Sequence, residues 1–390
     1  MTLRLYYTDS YLCDFAAQVV DRADDGRRIY LNRTAFYPSS GGQPFDTGTL
    51  GGSQVVDVLE EGERVAHVLA RPLESDRVSG SIDWGRRFDH MQQHTGQHLL
   101  SAVLHELFGF TTISVHFGRE SSTLDLDTPA IDHPSLVEAE SRANLLVAEN
   151  RPVEVGFEEA GTAAGLRKAS SREGTLRIVT IRDLDRSACG GTHVRATGEI
   201  GPILVPKSER VKKNVRLEFL CGARAVRRAR ADLDLVAQLA GQLSAAAEEL
   251  PALVDAQRAE LKEAVAARRE LEEDLAMLRA RELHAAAMPD GSGVRSIVLH
   301  EERGPIDRLR PLAQAVATMP RALFVGWTAH PPSLLVAASG DSGLDAGRML
   351  KSSLERVGGR GGGNARIGQG TAPSAFALEE AVAAIVRRRA

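Results

Sequence analysis

Two short motifs in the chain combine residue types that bind transition metals. His94 and His98 are four residues apart, and on a helix this spacing places both imidazoles on one face. Cys189 and His193 enclose a Gly-Gly-Thr segment, whose glycines permit a tight backbone path that lets a thiolate and an imidazole point at one ion. Three imidazoles and one thiolate are a ligand set typical of Zn²⁺. We therefore predict that the two motifs, far apart in sequence, converge on a shared zinc site.

The chemistry of such a site has several interpretations. A closed zinc site is structural, whereas a site with an exchangeable position can activate water or polarise a carbonyl group. Four protein ligands leave this open, because Cys189 could be a displaceable ligand. Cys189 as a covalent nucleophile fits its spacing to His193 less well than ligation does. The alternative to a metal site is that the two pairs are unrelated.

Length and composition limit the possibilities. The chain has 390 residues, a formal net charge of -4 and 43% apolar residues, which predict two or three globular domains. Charge alone neither supports nor excludes nucleic-acid binding. Three cysteines make a disulfide framework improbable, so a reducing cytoplasm fits best. We expect no signal peptide and no membrane-spanning stretch.

The elements that must position the motifs change along the chain. Residues 1–85 contain short apolar runs broken by Gly- and Asp-rich turns, which predict a β-barrel. Residues 86–224 hold both metal motifs in a predicted α+β module. Its first helix, near residues 87–108, is indicated by a leucine-rich stripe that stops at Gly109. The stripe consists of Leu99, Leu100, Val103, Leu104 and Leu107.

The second half of the chain has a different pattern. Apolar residues in 225–288 recur with a spacing near 3.5, which predicts a helical hairpin or coiled-coil spacer, broken or kinked at Pro251. These helices either pair two chains in a homodimer or pack within their own domain. Residues 289–390 alternate strand and helix patterns and predict a small C-terminal α/β domain. The predicted fold class of the whole chain is α+β.

Several segments together resemble one protein family. Residues 87–100 and the motif from Cys189 to His193 resemble the paired metal motifs of the editing domain of alanyl-tRNA synthetase. Residues 34–50 resemble the glycine-rich loop of the same proteins, and residues 358–363 resemble the DHH-associated domain that closes the synthetase. The resemblance covers nearly the whole chain, and the motifs occur in the same order.

The resemblance implies a function. The glycine-rich loop begins within the first fifty residues, which leaves no room for a class II aminoacylation core, so the chain is similar to the long form of the free-standing AlaX editing proteins. This implies a zinc-dependent hydrolase that removes a wrong amino acid, most simply serine, from the tRNA for alanine without charging tRNA. The implied domains are a glycine-rich-loop barrel (1–85), a zinc-containing editing core (86–224), the spacer (225–288) and a DHH-associated domain (289–390).

Two residues of the glycine-rich loop are candidates for selectivity. An active site for alanine cannot strongly reject serine, which adds only a hydroxyl, so the editing site must accept serine and spare alanine. Polar groups that alanine would leave unpaired achieve this. Thr34 and Gln43 are the candidates, because the resemblance implies that this loop lies near the metal. This chain departs from the family pattern at Ser40, where glycine is usual, and at Gly96, where alanine is commoner.

Two groups of residues are candidates for tRNA binding. The first is a basic cluster beside the metal module, which can neutralise phosphates but could equally be a solvated face. The second is in the C-terminal glycine run, where backbone could approach phosphate closely, or which could be a flexible linker. The residues are Lys207, Arg210, Lys212 and Lys213 in the first group, and Gly359, Arg360, Gly361 and Gly362 in the second.

Two other functions remain open from the sequence. An editing domain of the threonyl-tRNA synthetase type shares the paired metal motifs, although the glycine-rich loop and the C-terminal domain argue against it. A non-catalytic tRNA-binding or dimerisation protein with a structural zinc ion is the alternative from a different class.

Overall fold

The computed structural model of the chain describes residues 1–168 and 173–387, which form a mixed α+β fold. The predicted fold class is thereby confirmed. The chain divides into two compact units, Met1–Gln242 and Leu243–Ala390. In the described ranges, no helix combines the length and the apolar character needed to cross a membrane.

The first unit begins with strands, and most of them form one closed sheet. The strands are β1 (Leu3–Arg4), β2 (Asp14–Ala23), β3 (Arg28–Leu31), β4 (Arg33–Thr34), β5 (Gly48–Leu50), β6 (Ser53–Glu61), β7 (Arg64–Leu69) and β8 (Arg77–Ile82). Six of them pair antiparallel in the order β2-β3-β7-β6-β5-β8 and close into a barrel, since β8 also pairs with β2. Buried and exposed residues alternate along β8, as expected for a strand with one face toward a core.

A long helix, α1 (Trp84–Phe108), follows the barrel. The Asp83 carboxylate caps its start by accepting the backbone N–H of Arg86, and Gly109 ends it in a left-handed conformation with φ 69°. The predicted leucine stripe faces the core, because all of its residues except Leu107 are fully or almost fully buried.

The rest of the first unit packs two antiparallel sheets against α1. It contains β9 (Thr112–Phe117), β10 (Ser122–Leu126), α2 (His133–Ala148), β11 (Val153–Glu159), β12 (Thr175–Ile181), β13 (Asp185–Ala188), β14 (Ile203–Val211), β15 (Asn214–Cys221) and α3 (Ala223–Leu243). The sheet orders are β14-β15-β10-β9 and β11-β12-β13. Since α1 contacts β9, β13 and β15, it lies against both sheets.

A buried ion pair joins α1 to the barrel. The side chain of Arg87 is 1% exposed, and its Nε lies 3.0 Å from Oδ1 of the fully buried Asp46. The same guanidinium donates to the backbone carbonyls of Ser10 and Ala35 at 2.7 and 2.6 Å. Removing one partner of such a pair leaves a buried charge uncompensated, so the pair fixes the position of the helix relative to the barrel.

The second unit contains a mixed sheet with helices. Its elements are α4 (Leu250–Ala286), β16 (Arg295–Arg303), α5 (Arg310–Val316), β17 (Ala322–His330), β18 (Ser333–Ala338), α6 (Ala346–Glu355), β19 (Arg360–Gly363), β20 (Ile367–Thr371) and α7 (Ala375–Arg387). The strand order is β16-β17-β18-β20-β19, and β16 pairs parallel with β17. The central strand β18 is buried along its whole length.

The helical segment between the two units is broken where a break was predicted. Helix α3 ends at Leu243, and α4 begins at Leu250, so Pro251 lies in the first turn, where its missing N–H breaks no helical hydrogen bond. Apolar residues of the predicted heptad pattern stay exposed, namely Leu233, Leu261, Leu271, Leu275 and Leu278. The homodimer through 225–288 stays a prediction, which sedimentation at micromolar concentration tests.

The C-terminal glycine run is an ordered element. Residues 360–363 form β19, which pairs antiparallel with β20, so the flexible-linker interpretation of this run is wrong. The pairing explains the difference, because backbone hydrogen bonds to β20 hold a segment whose composition alone suggests freedom.

Candidate metal centre and adjoining cavity

The structure brings the four predicted metal ligands together. His94 and His98 lie on α1, and Cys189 and His193 lie in the segment after β13. One ligand atom from each of the four residues lies within 4.8 Å of all the others. The three histidines are buried and Cys189 is partly exposed, so Cys189 is the most exposed residue of this cluster.

Each imidazole of the cluster is held through its Nδ1 atom, which leaves Nε2 available to a metal. The partners are Gln43 Oε1 for His94 at 2.8 Å, Asp185 Oδ2 for His98 at 3.0 Å and Thr95 Oγ1 for His193 at 3.1 Å. An amide oxygen and a carboxylate only accept hydrogen bonds, so the first two partners fix a proton on Nδ1. Such contacts set the orientation of a histidine ligand and raise its basicity.

The spacing of the ligand atoms fits a zinc-sized ion. Cys189 Sγ lies 3.4 Å from Nε2 of His94 and 3.4 Å from Nε2 of His193. Tetrahedral zinc with usual bond lengths separates a sulfur and a nitrogen ligand by about 3.6 Å. Burial alone would raise the pKa of the Cys189 thiol, but the charges and hydrogen bonds of His94 and His193 lower it well below its usual value. The thiolate is the form that binds metals.

Asp185 is a residue of this site that the sequence analysis missed. Burial alone would raise its pKa, but the hydrogen bond and charge of His98, together with Arg167, lower it to about 2. Arg167 Nε donates to Asp185 Oδ1 at 2.7 Å, so the ionised carboxylate is held from both sides. Asp185 is 87 residues from His98 in sequence and is one of many acidic residues, which is why no motif pointed to it.

The glycine before Thr192 is required by space rather than by backbone conformation. A Cβ atom at Gly191 would lie 2.2 Å from Cε1 of His94, whereas at Gly190 the nearest atom would be the Tyr7 hydroxyl oxygen at 3.6 Å. The expectation that both glycines serve a tight backbone path is therefore corrected. Only Gly191 makes room for a ligand of the cluster.

Gln43 contacts the cluster directly. Its Oε1 accepts from His94 Nδ1 and from the backbone N–H of Thr192, and its Nε2 donates to Thr192 Oγ1 at 2.8 Å. The side chain, 1% exposed, thus links the glycine-rich loop to both metal motifs. These contacts position His94 within the cluster.

Thr34 lies on β4, which pairs with β1 outside the closed barrel, and its hydroxyl contacts a buried histidine of the barrel strand β7. Thr34 is fully buried and is not among the residues that line the two cavities beside the cluster. Thr34 Oγ1 accepts the backbone N–H of Phe36 and lies 2.8 Å from Nε2 of His67. His67 Nδ1 lies 3.1 Å from the Ile29 carbonyl, which only accepts, so Nδ1 bears a proton. Burial lowers the pKa of His67 to about 4, so the ring is neutral, and its Nε2 accepts a hydrogen bond from the Thr34 hydroxyl. One lone pair of the Thr34 oxygen remains free for another donor.

A cavity of about 380 Å³ adjoins the cluster. His94 and Cys189 line it, together with Gly190, Gly191, Arg4, Glu60 and the tyrosines Tyr6, Tyr7 and Tyr37. A second cavity, of about 360 Å³, includes His98 and shares Gly41 and Ala188 with the first. The cluster is therefore reached from two sides.

Two further polar groups beside the first cavity escaped the sequence analysis. Arg177 donates to the backbone carbonyls of Cys189 and Tyr7 at 2.7 and 2.9 Å, which fixes the strand that precedes the thiol. Its second terminal nitrogen, Nη2, and the Tyr6 hydroxyl are buried without a hydrogen-bond partner among the described residues. Burial lowers the pKa of Arg177. Neither residue belongs to a motif, so only the fold reveals them.

The two predicted tRNA-binding groups lie in different units. The basic cluster of the first unit occupies the exposed end of the β14–β15 hairpin, where Lys207 pairs with Glu209 at 2.8 Å and Lys212 forms part of the turn. In the second unit, Arg360 and the two glycines that follow it are exposed along β19.

Comparison with known proteins agrees with this combination of fold and cluster. A family model described as the threonyl and alanyl tRNA synthetase second additional domain matches residues 176–217, which include Cys189 and His193. The fold and site thus define a member of the class of proteins that contain this additional domain.

Full-length relatives narrow the class. The chain is 32% identical to the alanyl-tRNA editing protein Aarsd1-A of Xenopus laevis over 326 residues, which cover 82% of this chain and 78% of that protein. It is 29% identical to the alanyl-tRNA editing protein AlaX-L of Pyrococcus horikoshii, over 95% of this chain and 94% of that protein. The chain belongs to the family of alanyl-tRNA editing proteins.

A longer relative shares the same region. The chain is 31% identical to the alanine–tRNA ligase of Pyrococcus abyssi over 410 aligned positions, which cover 99% of this chain and 43% of the ligase. The chain therefore spans less than half the length of that relative.

Proposed function

We propose that this protein hydrolyses the ester bond between a wrongly attached amino acid, serine, and the terminal ribose of the tRNA for alanine. The observation that supports this proposal is the cavity of about 380 Å³ whose wall contains the thiol and one imidazole of the four-residue cluster. The relatives that align along most of their length are named alanyl-tRNA editing proteins, which favours the alanyl over the threonyl type of substrate.

Zinc is the proposed metal, held by His94, His98, Cys189 and His193. When bound there, it would supply a Lewis acid that can polarise an ester carbonyl or lower the pKa of a water molecule. Gln43 and Asp185 hold two of the imidazoles in the tautomer that metals bind. Cys189 and His94 are the two proposed ligands that line the cavity, where substrate would enter.

Selectivity for serine is assigned to Thr34. Because its proton is directed to His67, a lone pair of its oxygen would be the acceptor for the serine hydroxyl. Thr34 lies behind the cavity wall, so the serine side chain would have to pass the lining residues to reach it. The methyl group of alanine cannot donate, so the lone pair that the serine hydroxyl would fill stays without a donor. An unpaired buried polar group costs about 1–3 kcal/mol, or roughly ten- to a hundredfold in rate if the cost appears in the transition state.

The test compares hydrolysis of seryl-tRNA and alanyl-tRNA, both made with the tRNA for alanine. The unmodified protein should hydrolyse the seryl substrate faster, and Thr34→Val should reduce that ratio by roughly ten- to a hundredfold while metal content stays unchanged. Thr34→Ser keeps the hydroxyl and is the matched control, which should retain the ratio. Equal rates on both substrates in the unmodified protein would refute serine selectivity.

The same assay separates the alternatives. A non-catalytic protein with a structural zinc ion would bind tRNA and hydrolyse neither substrate, and a threonyl-type editing protein would act on mischarged tRNA for threonine. We expect no aminoacylation. The activity would take place in the cytoplasm, in keeping with the free cysteines Cys13, Cys189 and Cys221. Contacts of the β14–β15 hairpin and of β19 with tRNA are part of this proposal.

A further inference from the structure

A second site in the first unit has the chemistry of an anion-binding cavity. This cavity, of about 600 Å³, lies between the start of α1, the loop after β9 and the start of α3. It shares no lining residue with the cavity beside the metal cluster. The side chains that determine its character are Arg86, Arg119, Arg224, Arg227, Asp89 and His90.

The charge of this cavity is strongly positive, since four guanidinium groups face one carboxylate. Arg224 is 4% exposed and is fully engaged, because it forms a two-pronged pair with Asp89 and donates to the Gly118 carbonyl at 2.8 Å. In the described part of the chain, Arg86, Arg119 and Arg227 have no carboxylate within 4.0 Å. Three positive charges therefore remain without a counter-charge.

His90 adds an unsatisfied polar group to the same wall. Its residue is 5% exposed, and its Nδ1 is buried without a hydrogen-bond partner among the described residues. Burial, with a further contribution from the charge of Arg86, lowers its pKa to about 4, so the ring is neutral at physiological pH. A neutral imidazole can donate one hydrogen bond to an anion that the guanidinium groups attract. Nearly all buried polar atoms in folded proteins have a partner, so an unpaired one in a cationic cavity indicates a ligand.

We propose that this cavity binds a phosphodiester group of the tRNA backbone, a choice of ligand that rests on the proposed function. A guanidinium group can donate two parallel hydrogen bonds to the oxygens of one phosphate. Arg119 and Arg227 are both exposed and line the cavity from two separate elements. His90 precedes the metal ligand His94 by four residues on α1, a rise of about 6 Å along the helix axis. This short separation along α1 places the cavity within a few nucleotides' reach of the cluster.

The experiment uses the full-length protein with its metal bound. Arg119→Ala combined with Arg227→Ala should weaken tRNA binding by roughly tenfold at 50 mM salt and make the slope of log affinity against log salt less steep by about 0.7 to 0.9, as expected for one lost phosphate contact. Arg182→Ala is the matched control, because it removes an exposed arginine of the same unit that pairs with Glu154, and it should leave both quantities close to those of the parent. Arg224 is not replaced, because it is buried and holds Asp89.

The outcomes distinguish this site from the proposed function. Unchanged affinity and slope in the double variant, with metal content and circular dichroism like those of the parent, would overturn the proposal. Titration with inorganic phosphate is a second arm: if phosphate binds the parent and not the variant while tRNA affinity stays the same, the cavity binds a small anion and the proposal is wrong. If the parent hydrolyses no seryl-tRNA but the double variant loses tRNA affinity as expected, this site stands and the proposed function falls.

Discussion

The three histidines of the cluster differ in what holds them, although each is held at the same ring nitrogen. His94 depends on an amide from the glycine-rich loop, His98 on a carboxylate at the start of β13 and His193 on a hydroxyl from α1. The imidazoles are thus fixed before any metal arrives. Loss of such a partner typically reduces metal affinity ten- to a hundredfold, or about 1–3 kcal/mol.

The two glycines that follow Cys189 should differ in how their replacement affects metal content. Gly191→Ala places a methyl group where His94 now lies, so we expect zinc content well below the one ion per chain predicted for the parent, comparable with His98→Ala. Gly190→Ala meets no atom closer than 3.6 Å and should keep the ion. Elemental analysis of the purified proteins measures both. Full metal occupancy in Gly191→Ala would show that a side chain at residue 191 does not displace His94.

The buried His67 should make the free energy of unfolding depend on pH. The pKa of His67 is lowered to about 4 in the folded protein, whereas a histidine in an unfolded chain has a pKa of about 6.5. Between about pH 4 and about pH 6.5 the unfolded state therefore binds a proton that the folded state does not. The free energy of unfolding falls by up to about 3 kcal/mol as pH drops through this range. Urea unfolding of the parent and of His67→Gln at pH 7.5 and 4.5 measures this. The parent should be more stable than His67→Gln at pH 7.5, and this difference in the free energy of unfolding should shrink at pH 4.5. A difference that does not depend on pH would rule out a neutral buried ring.

Individual site residues could be predicted from the sequence where they belong to a short motif. The four ligands stand in two compact motifs, and Gln43 and Thr34 were accessible through a family resemblance. His67 and Asp185 were not, because each acts on a partner 33 or 87 residues away and no periodicity connects such pairs. Only the barrel and the β11-β12-β13 sheet bring them together.

Among the elements, α1 does the most to organise the site. Its first turns bind the barrel through Arg87, its middle supplies His94 and His98, and its last turns bury the leucine stripe. Gln93 adds a link to β15, since its amide exchanges two hydrogen bonds with the backbone of Cys221 at 2.9 and 3.0 Å. The helix cannot shift along β15 without breaking both bonds.

The contact between α1 and β15 explains the departure at Gly96. A Cβ atom there would lie 2.2 Å from Sγ of Cys221, so Gly96→Ala should destabilise the protein by about 1–3 kcal/mol, even though alanine favours a helix by about 1 kcal/mol. In a Cys221→Ala background the sulfur is absent, and the same substitution should cost far less. Denaturant unfolding of the four proteins in this cycle measures the coupling. Equal costs in both backgrounds would show that the sulfur is not the obstacle.

Elements with clear periodicity were predicted closely. The helix predicted near residues 87–108 is α1, whose end agrees with the leucine stripe that stops at Gly109, and the proline at 251 marked a true break. The glycine run at 360–363 was not predicted as a strand, because glycine has no side chain from which a strand pattern could be recognised. Its order depends on β20, a partner outside any local window.

For the whole molecule, the division into two units separates the chemistry from the C-terminal sheet. All four proposed ligands lie within Met1–Gln242. Domain boundaries at 85, 224 and 288 stay predictions. A cut at 288 would leave α4 without its neighbours, because Ala276 and Ala280 are buried in the core of the second unit.

A chain that ends at Gln242 should therefore keep its metal and bind tRNA more weakly than the full chain. The reason is that the first unit holds every proposed ligand, whereas the exposed Arg360 belongs to the second. Filter binding with the tRNA for alanine and elemental analysis measure the two effects. Arg360→Ala in the full chain should also weaken tRNA binding. Arg348→Ala, which removes another exposed arginine of the second unit, is the control and should bind tRNA like the parent. Undiminished affinity in the shortened chain would contradict a binding role for the C-terminal sheet.

The hydrogen bond between Gln43 and His94 couples ion binding to correct folding of the protein. Any ion that prefers the folded cluster stabilises the fold by mass action, by about 2.7 kcal/mol at a free concentration one hundred times its dissociation constant. Because Gln43 extends from the barrel to a ligand on the helix, that stabilisation is shared by both. A molecule in which the glycine-rich loop is not in place would lack this bond and would hold an ion less tightly. On the function proposed above, such copies would be inactive rather than unselective, and correctly charged tRNA would stay intact.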